Sequence, residues 1–157
     1  MPYVRNAAEV DAWFREHGWF PGRDVSDQVP ELVREVVEQY AQAGFPAEPS
    51  PAALRFLGEH AGLRLAINAQ REDYLYLSPY LLYAAAPRDV AELGGHLGVG
   101  LFPIGVDTSD GSLVLMDERG RFFYIHDTGA YYMGADKYEA VISLFHAPME
   151  DAEDYFV

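Results

Sequence analysis

The main change of hydrophobic period in the chain falls near Gly62. Before it, apolar residues recur every three or four positions; after it, they mostly alternate or run in short blocks bounded by turn residues. A chain sorted in this way cannot supply the strand–helix alternation of a wound parallel sheet. It predicts an α+β domain: an antiparallel sheet of about five or six strands packed on one side by helices.

Asn6 with Glu9 has the form of a capping box, and Val10, Trp13, Phe14 and His17 follow at helical spacing to give a helix over 6–17. Trp19-Phe20-Pro21-Gly22-Arg23 reads as a tight turn with a left-handed glycine, its aromatics buried. Ser26 or Asp27 caps a second helix with Pro30 in its first turn and Val29, Leu32, Val33, Val36, Val37 and Tyr40 as the apolar stripe, closed by Gly44. Ser50 and Pro51 start a third, with Leu54, Leu57 and Ala61 inward. Leu63 to Ile67 reads as a strand. Tyr74-Leu75-Tyr76-Leu77 alternates, sending leucines to one face of the sheet and tyrosines to the other. A short helix over 88–97 leads into Leu101 to Val106, Ser112 to Met116 and Arg121 to His126, separated by Asp110-Gly111 and Asp117-Glu118-Arg119-Gly120, which predicts a meander. Tyr131 to Met133 adds a last strand, and Asp136 caps a final helix carrying Tyr138, Val141, Ile142 and Phe145.

A length of 157 residues suits one domain spanning 1–157, with its core over about 6–147 and an acidic tail over 150–157. Half the residues are apolar, enough for a core without staples. The longest stretch without a charge, Tyr74 to Pro87, is too short to span a membrane. The first six residues lack a basic stretch followed by an apolar one, so no secretory signal and a cytoplasmic location are expected. Having no cysteine excludes disulfides and thiolate chemistry. Eleven basic residues against 25 acidic ones give a net charge of -14, a field that repels phosphate backbones and attracts basic partners.

The five histidines form none of the close pairs of a metal site, and neither metal nor cofactor is expected. Glu59-His60 and His126-Asp127 are sequence neighbours whose side chains diverge, so both histidines read as surface or cap residues. Asp107-Thr108-Ser109-Asp110-Gly111 lacks calcium-loop spacing and reads as a turn. The glycines at 94, 95, 98 and 100 are not ordered as a phosphate cradle. Tyrosine is what stands out, at 11 residues, eight of them in two clusters: Tyr74, Tyr76, Tyr80 and Tyr83, then Tyr124, Tyr131, Tyr132 and Tyr138. Tyr74, Tyr76, Tyr131 and Tyr132 are therefore candidate partner contacts.

Trp19-Phe20-Pro21-Gly22-Arg23; Gly44-Phe45 with Pro51, Ala53, Phe56-Leu57 and Ala61-Gly62-Leu63; Leu97-Gly98 with Leu101-Phe102-Pro103-Ile104-Gly105; Met116-Asp117-Glu118 through Gly120-Arg121; and Gly134 with Glu139-Ala140 form a series of short motifs. In this order they resemble the third subfamily of the SUKH superfamily. The likeness covers about residues 13–145, departing at Ala61, where a glycine is usual. It implies that Trp19, Pro21, Gly22, Arg23, Gly62, Gly98, Pro103, Gly105 and Gly120 are structural. It further implies an immunity protein without catalysis, an antidote that neutralises a cognate polymorphic toxin, often a nuclease or nucleic-acid deaminase. A basic toxin cleft complements the charge, so the turn and tail acids Asp107, Asp110, Asp117, Glu118, Glu150, Asp151, Glu153 and Asp154 are expected contacts. The partner is then a basic toxin domain, with no direct nucleic-acid or membrane binding, and the protein a monomer or weak homo-oligomer. Two other readings stand beside this one. One is an intracellular scaffold or regulatory adaptor of the same superfamily; the other is a small hydrolase, which a concave pocket joining His126 or His60 to a carboxylate would favour.

Overall fold

The computed structural model describes residues 4–146 and 149–157; the reading of residues 1–3 and the expected core boundary at 147 lie outside them. Helices α1 (Ala7–Glu16), α2 (Val29–Gln42) and α3 (Pro51–His60) precede strands β1 (Arg64–Ala66) and β2 (Tyr74–Tyr76). Helix α4 (Ala86–Leu97) then leads into β3 (Leu101–Asp107), β4 (Ser112–Asp117), β5 (Phe122–His126) and β6 (Gly129–Gly134), followed by α5 (Lys137–Phe145), β7 (Glu150–Asp151) and a 3-10 turn, Ala152–Tyr155. The segregation of periods therefore yields the α+β fold it predicts. All seven strands form one antiparallel sheet in sequence order.

The local chemistry accounts for most boundaries. Asn6, Ser50 and Asp136 each accept a hydrogen bond from the backbone N–H three residues on, satisfying donors that a helix start leaves open. Helix α2 departs from expectation. Its N-cap is Gln28, without a side-chain bond, while the Ser26 N–H is taken by Asp24. Pro30 at the helix start needs no N–H partner, so the helix begins there without a polar cap.

Paired residues share a face, which sorts the sheet into two. On one face Phe14 of α1, Phe56 of α3 and Ala140, Val141 and Leu144 of α5 close over Leu75, Ile104, Val114, Phe122 and Met133. The other face of the central strands, with Leu113, Leu115 and Phe123, is fully buried as well. Leu82 and Tyr83, on the segment running into α4, border Ile125 on that face. A bulge between Pro103 and Gly105 interrupts β3. Proline can sit in this central strand because a bulge spares it a ladder hydrogen bond. Gly105 is needed because an added Cβ would lie 3.1 Å from the Tyr76 carbonyl oxygen.

The Trp19–Arg23 turn acts as a clasp. Gly22 is left-handed (φ +85°), and Arg23 donates to the carbonyls of Glu59 (3.0 Å) and Ala61 (2.9 Å), closing the C-terminal end of α3. Trp19 lies parallel to His60, with the Lys137 Nζ 4.1 Å from its ring centre. Phe20 is 55% exposed and Leu54 41%, against the expected burial of both. The turn commits only one of its two aromatics to the core, and Leu54 lies on the outward side of α3.

The expected tail is part of the sheet. Glu150 and Asp151 pair with Tyr132 and Tyr131 as β7, which takes the count to seven strands, and Ala152 is buried. Acidic residues form an edge strand here because both side chains remain in water while the backbone pairs. No helix among the described residues is long and apolar enough to cross a membrane.

Candidate partner-binding site

An antiparallel meander gathers alternate turns at the same end. The end of β3, the β3–β4 turn, the end of β5 and the β5–β6 turn lie side by side, and Tyr74 joins them through its N–H to Thr108 Oγ1 (2.9 Å). The sequence folds locally through short side-chain loops. Asp107 Oδ1 accepts from Ser109 N (2.9 Å) and Ser109 Oγ (2.6 Å), and Asp110 Oδ1 accepts from Ser112 N (3.0 Å). Thr128 N–H donates to His126 Nδ1 (3.2 Å), so in the neutral ring Nε2 carries the proton and points at Asp110 Oδ2, 3.5 Å away.

The Tyr124 hydroxyl joins these turns. It lies 2.8 Å from Asp107 Oδ2 and 2.7 Å from Asp110 Oδ2. Burial raises the phenol above its ordinary value, the neighbouring Ser112 hydroxyl opposes it, and the two carboxylates add to the rise, which keeps the phenol protonated. On the far side, His126 Nδ1 is 3.0 Å from Thr128 Oγ1, which is 2.6 Å from the Tyr131 hydroxyl. A polar chain thus runs from exposed Thr128 to buried Asp107 along a cleft of about 390 Å³ lined also by Ser143, Leu144 and Met149. A second hollow, about 490 Å³, lies beyond His126, between Tyr83, Asp89 and Asp127. Beside it Leu82 holds a left-handed backbone (φ +70°), a strained conformation for a branched side chain, and Tyr80 is 53% exposed. Burial and the Asp89 bond raise the Tyr83 phenol.

Hydroxyl, imidazole and carboxylate follow one another at Thr128, His126 and Asp110, the order that activates a hydroxyl. Here the imidazole–carboxylate contact is long, and Thr128 Oγ1 is already held by Tyr131. Among the described residues no three metal-ligating side chains come together.

The expected contact residues divide between the ends of the sheet. Asp110 and Tyr131 line the cleft, and Tyr74 is tied to the turn beside it. Asp107 also lines it but is only 4% exposed, and Asp117, at the opposite end, is wholly buried. Their expected exposure fails for one reason: each carboxylate is turned inward to hold its own turn, Asp117 taking the N–H groups of Arg119 and Arg121 and an ion pair to Arg121 Nε (2.6 Å). Glu118 is exposed at that same end and accepts from Gly100 N–H. Tyr74 and Tyr76 are half-buried, both under the Arg64 guanidinium. At the β7 edge Tyr132 stacks on Tyr155 (4.0 Å) between exposed Glu150, Asp151, Glu153 and Asp154. The Tyr155 hydroxyl donates to Glu150, a bond that pushes the phenol up to about 12.

Sequence reading missed His126 as the partner of Asp110, Tyr124 as the bridge, and Tyr155. His126 and Asp110 are 16 positions apart and meet only through the β4–β5 register. Tyr155 carried a signal, an aromatic inside a run of acids. His60 is no surface residue but a core one, 1% exposed.

The model of the SUKH-3 immunity protein family matches residues 6–147, which hold all five helices and strands β1 to β6. Comparison with curated proteins and with solved structures found no significant match. The order of motifs, the meander they fold into and a family match over most of the length agree, and the chain belongs to the SUKH-3 immunity protein family.

Proposed function

We propose that the protein neutralises a toxin domain with a basic, nucleic-acid-gripping surface, of the nuclease or nucleic-acid deaminase class, by covering that surface without catalysis of its own. Its docking face is the end of the sheet holding Asp110, His126, Asp127 and Tyr131, extended along β7 by Glu150 and Asp151 and flanked by Tyr74 and Tyr80. The observation that carries this reading is the convergence of acids, phenols and a concave floor at one end of a domain of net charge -14. Such a face attracts a basic cleft over distance, while aromatic contacts slow release. The protein acts inside the cell as a monomer or weak homo-oligomer.

The test is binding to the toxin domain encoded beside it. Asp127→Lys combined with Glu150→Lys lowers affinity by at least about tenfold, while Glu118→Lys at the opposite end changes it little. Equal losses from the two ends, or a toxin that binds neither wild type nor variants, would overturn the assignment.

A further inference from the structure

We infer that the cleft between the β3–β4 and β5–β6 turns is a guanidinium-binding site, built to receive an arginine side chain. That the arginine belongs to a toxin rests on the reading above; the site itself does not.

The argument starts from a shortage of donors. Tyr124 has one hydroxyl proton, yet its oxygen lies within hydrogen-bond distance of both Asp107 Oδ2 and Asp110 Oδ2. It can serve only one of them. The His126 N–H, at 3.5 Å from Asp110 Oδ2, is too far to make up the deficit. Asp107 is almost out of reach of water, and although Ser109 N–H and Oγ–H serve its Oδ1, no ion pair among the described residues balances its charge. A second observation points the same way. Ser112, paired with Asp107 and on the same face as Tyr124, is 1% exposed, and among the described residues its hydroxyl lies near the Tyr124 hydroxyl without making a well-formed hydrogen bond. Buried polar groups in a finished interior are satisfied, and this cluster lacks a balancing cation and a second donor for its two Oδ2 atoms.

The cleft is open to solvent, and among the described residues no lysine or arginine lines it. Its volume equals roughly a dozen waters at about 30 Å³ each, ample for a side chain. Three features choose guanidinium over a compact ammonium. Two carboxylate oxygens flank one hydroxyl, an array that a planar fork with five N–H groups serves better than a point charge. Tyr124 and His126 present nearly parallel rings, 8° apart in plane, against which a flat cation stacks. Leu144 and Met149 offer an apolar wall to the methylene stem.

Arginine methyl ester titrated into the full chain, followed by amide NMR, tests the site, with lysine and glycine methyl esters as comparison probes. The arginine ester produces saturable shifts at Ser109, Gly111 and Thr128; the lysine ester binds at least about fivefold more weakly, and the glycine ester does not saturate. Asp110→Asn keeps the oxygen that accepts from Ser112 N and weakens arginine-ester binding by about tenfold. Shifts that never saturate, equal affinity for the lysine ester, or an unaffected Asn variant would each overturn the site. If the variant does not fold, the three esters on the wild type still decide. Loss of ester binding in Asp110→Asn with unchanged toxin affinity keeps the cleft and removes the docking assignment.

Discussion

His60 shows how one side chain can tie three elements together and make stability depend on pH. Its Nδ1–H donates to the Phe56 carbonyl (2.9 Å) and its Nε2 accepts from Lys137 Nζ (3.2 Å), while the ring stacks on Phe56 and Trp19. This arrangement requires a neutral imidazole. Burial, and then the positive charges of Lys137 and Arg23, lower its pKa to about 4, the Phe56 carbonyl opposing them. In the unfolded chain the same group titrates near 6.5. Between those values the unfolded state holds more protons, so the full stability present above about pH 6.5 is lost progressively as pH falls toward 4. The loss is on the order of 3 kcal/mol. Urea unfolding at pH 7 and 4.5 measures it, and His60→Phe removes that part of the difference; an unchanged difference would refute the role. Lys137, the chain's one lysine, is itself lowered by burial, and its contacts with Phe14, Trp19 and Tyr138 are cation–π contacts to rings.

Elements in this fold meet closely where small residues allow it. Gly134 ends β6 two residues before the Asp136 cap of α5, and Ala135 N–H donates to Glu139 (2.7 Å), folding the helix start back over the strand. A Cβ at Gly134 would lie 2.8 Å from Ala140 N and nearer still to the Cβ of Glu139. Gly134→Ala is therefore expected to destabilise by about 2 kcal/mol or more, because the clash is with backbone that cannot rotate away. Thermal denaturation by circular dichroism checks this, and a melting temperature equal to wild type would show that α5 can shift at no cost. The same closeness explains why Gly134 and Glu139-Ala140 stand together as a motif: the spacing records a strand–helix contact. At the other edge, the two-residue β7 is too short to stand alone; Ala152 in the core and Tyr155 on Tyr132 anchor it.

For the whole molecule, a charge of -14 would set the kinetics of meeting the basic partner proposed above. Association with the toxin domain should slow by at least about tenfold between 50 and 500 mM salt while dissociation changes far less, since long-range attraction is screened and close contacts are not. Stopped-flow rates indifferent to salt would remove electrostatic docking from the account. Topology decides where that charge acts. A meander puts the 108–111 and 127–128 turns on one end and the 118–120 turn on the other, so Asp110 and Glu118, eight residues apart, face opposite directions.

The fold class was legible before any coordinates, because helix and strand periods, caps such as Ser50-Pro51 and turns such as Asp110-Gly111 are local signals that the tertiary structure had no cause to override. Motifs were legible as positions but not as mechanisms; that Arg23 grips the end of α3, or that Pro103 sits at a bulge, needs the partner strand or helix in view. Solvent exposure was the weakest inference. Asp107 and Asp117 look like surface acids in polar turns, yet each folds inward onto its own backbone, and Glu150 and Asp151 look like a loose tail yet complete the sheet. The amino-acid order alone determined the five helices, the meander, the acidity and the family, since these depend on neighbours along the chain. Only the tertiary structure decided which acids stay in water and that Tyr124 bridges Asp107 and Asp110, since those relations depend on strand register, which brings distant residues to within a few ångströms.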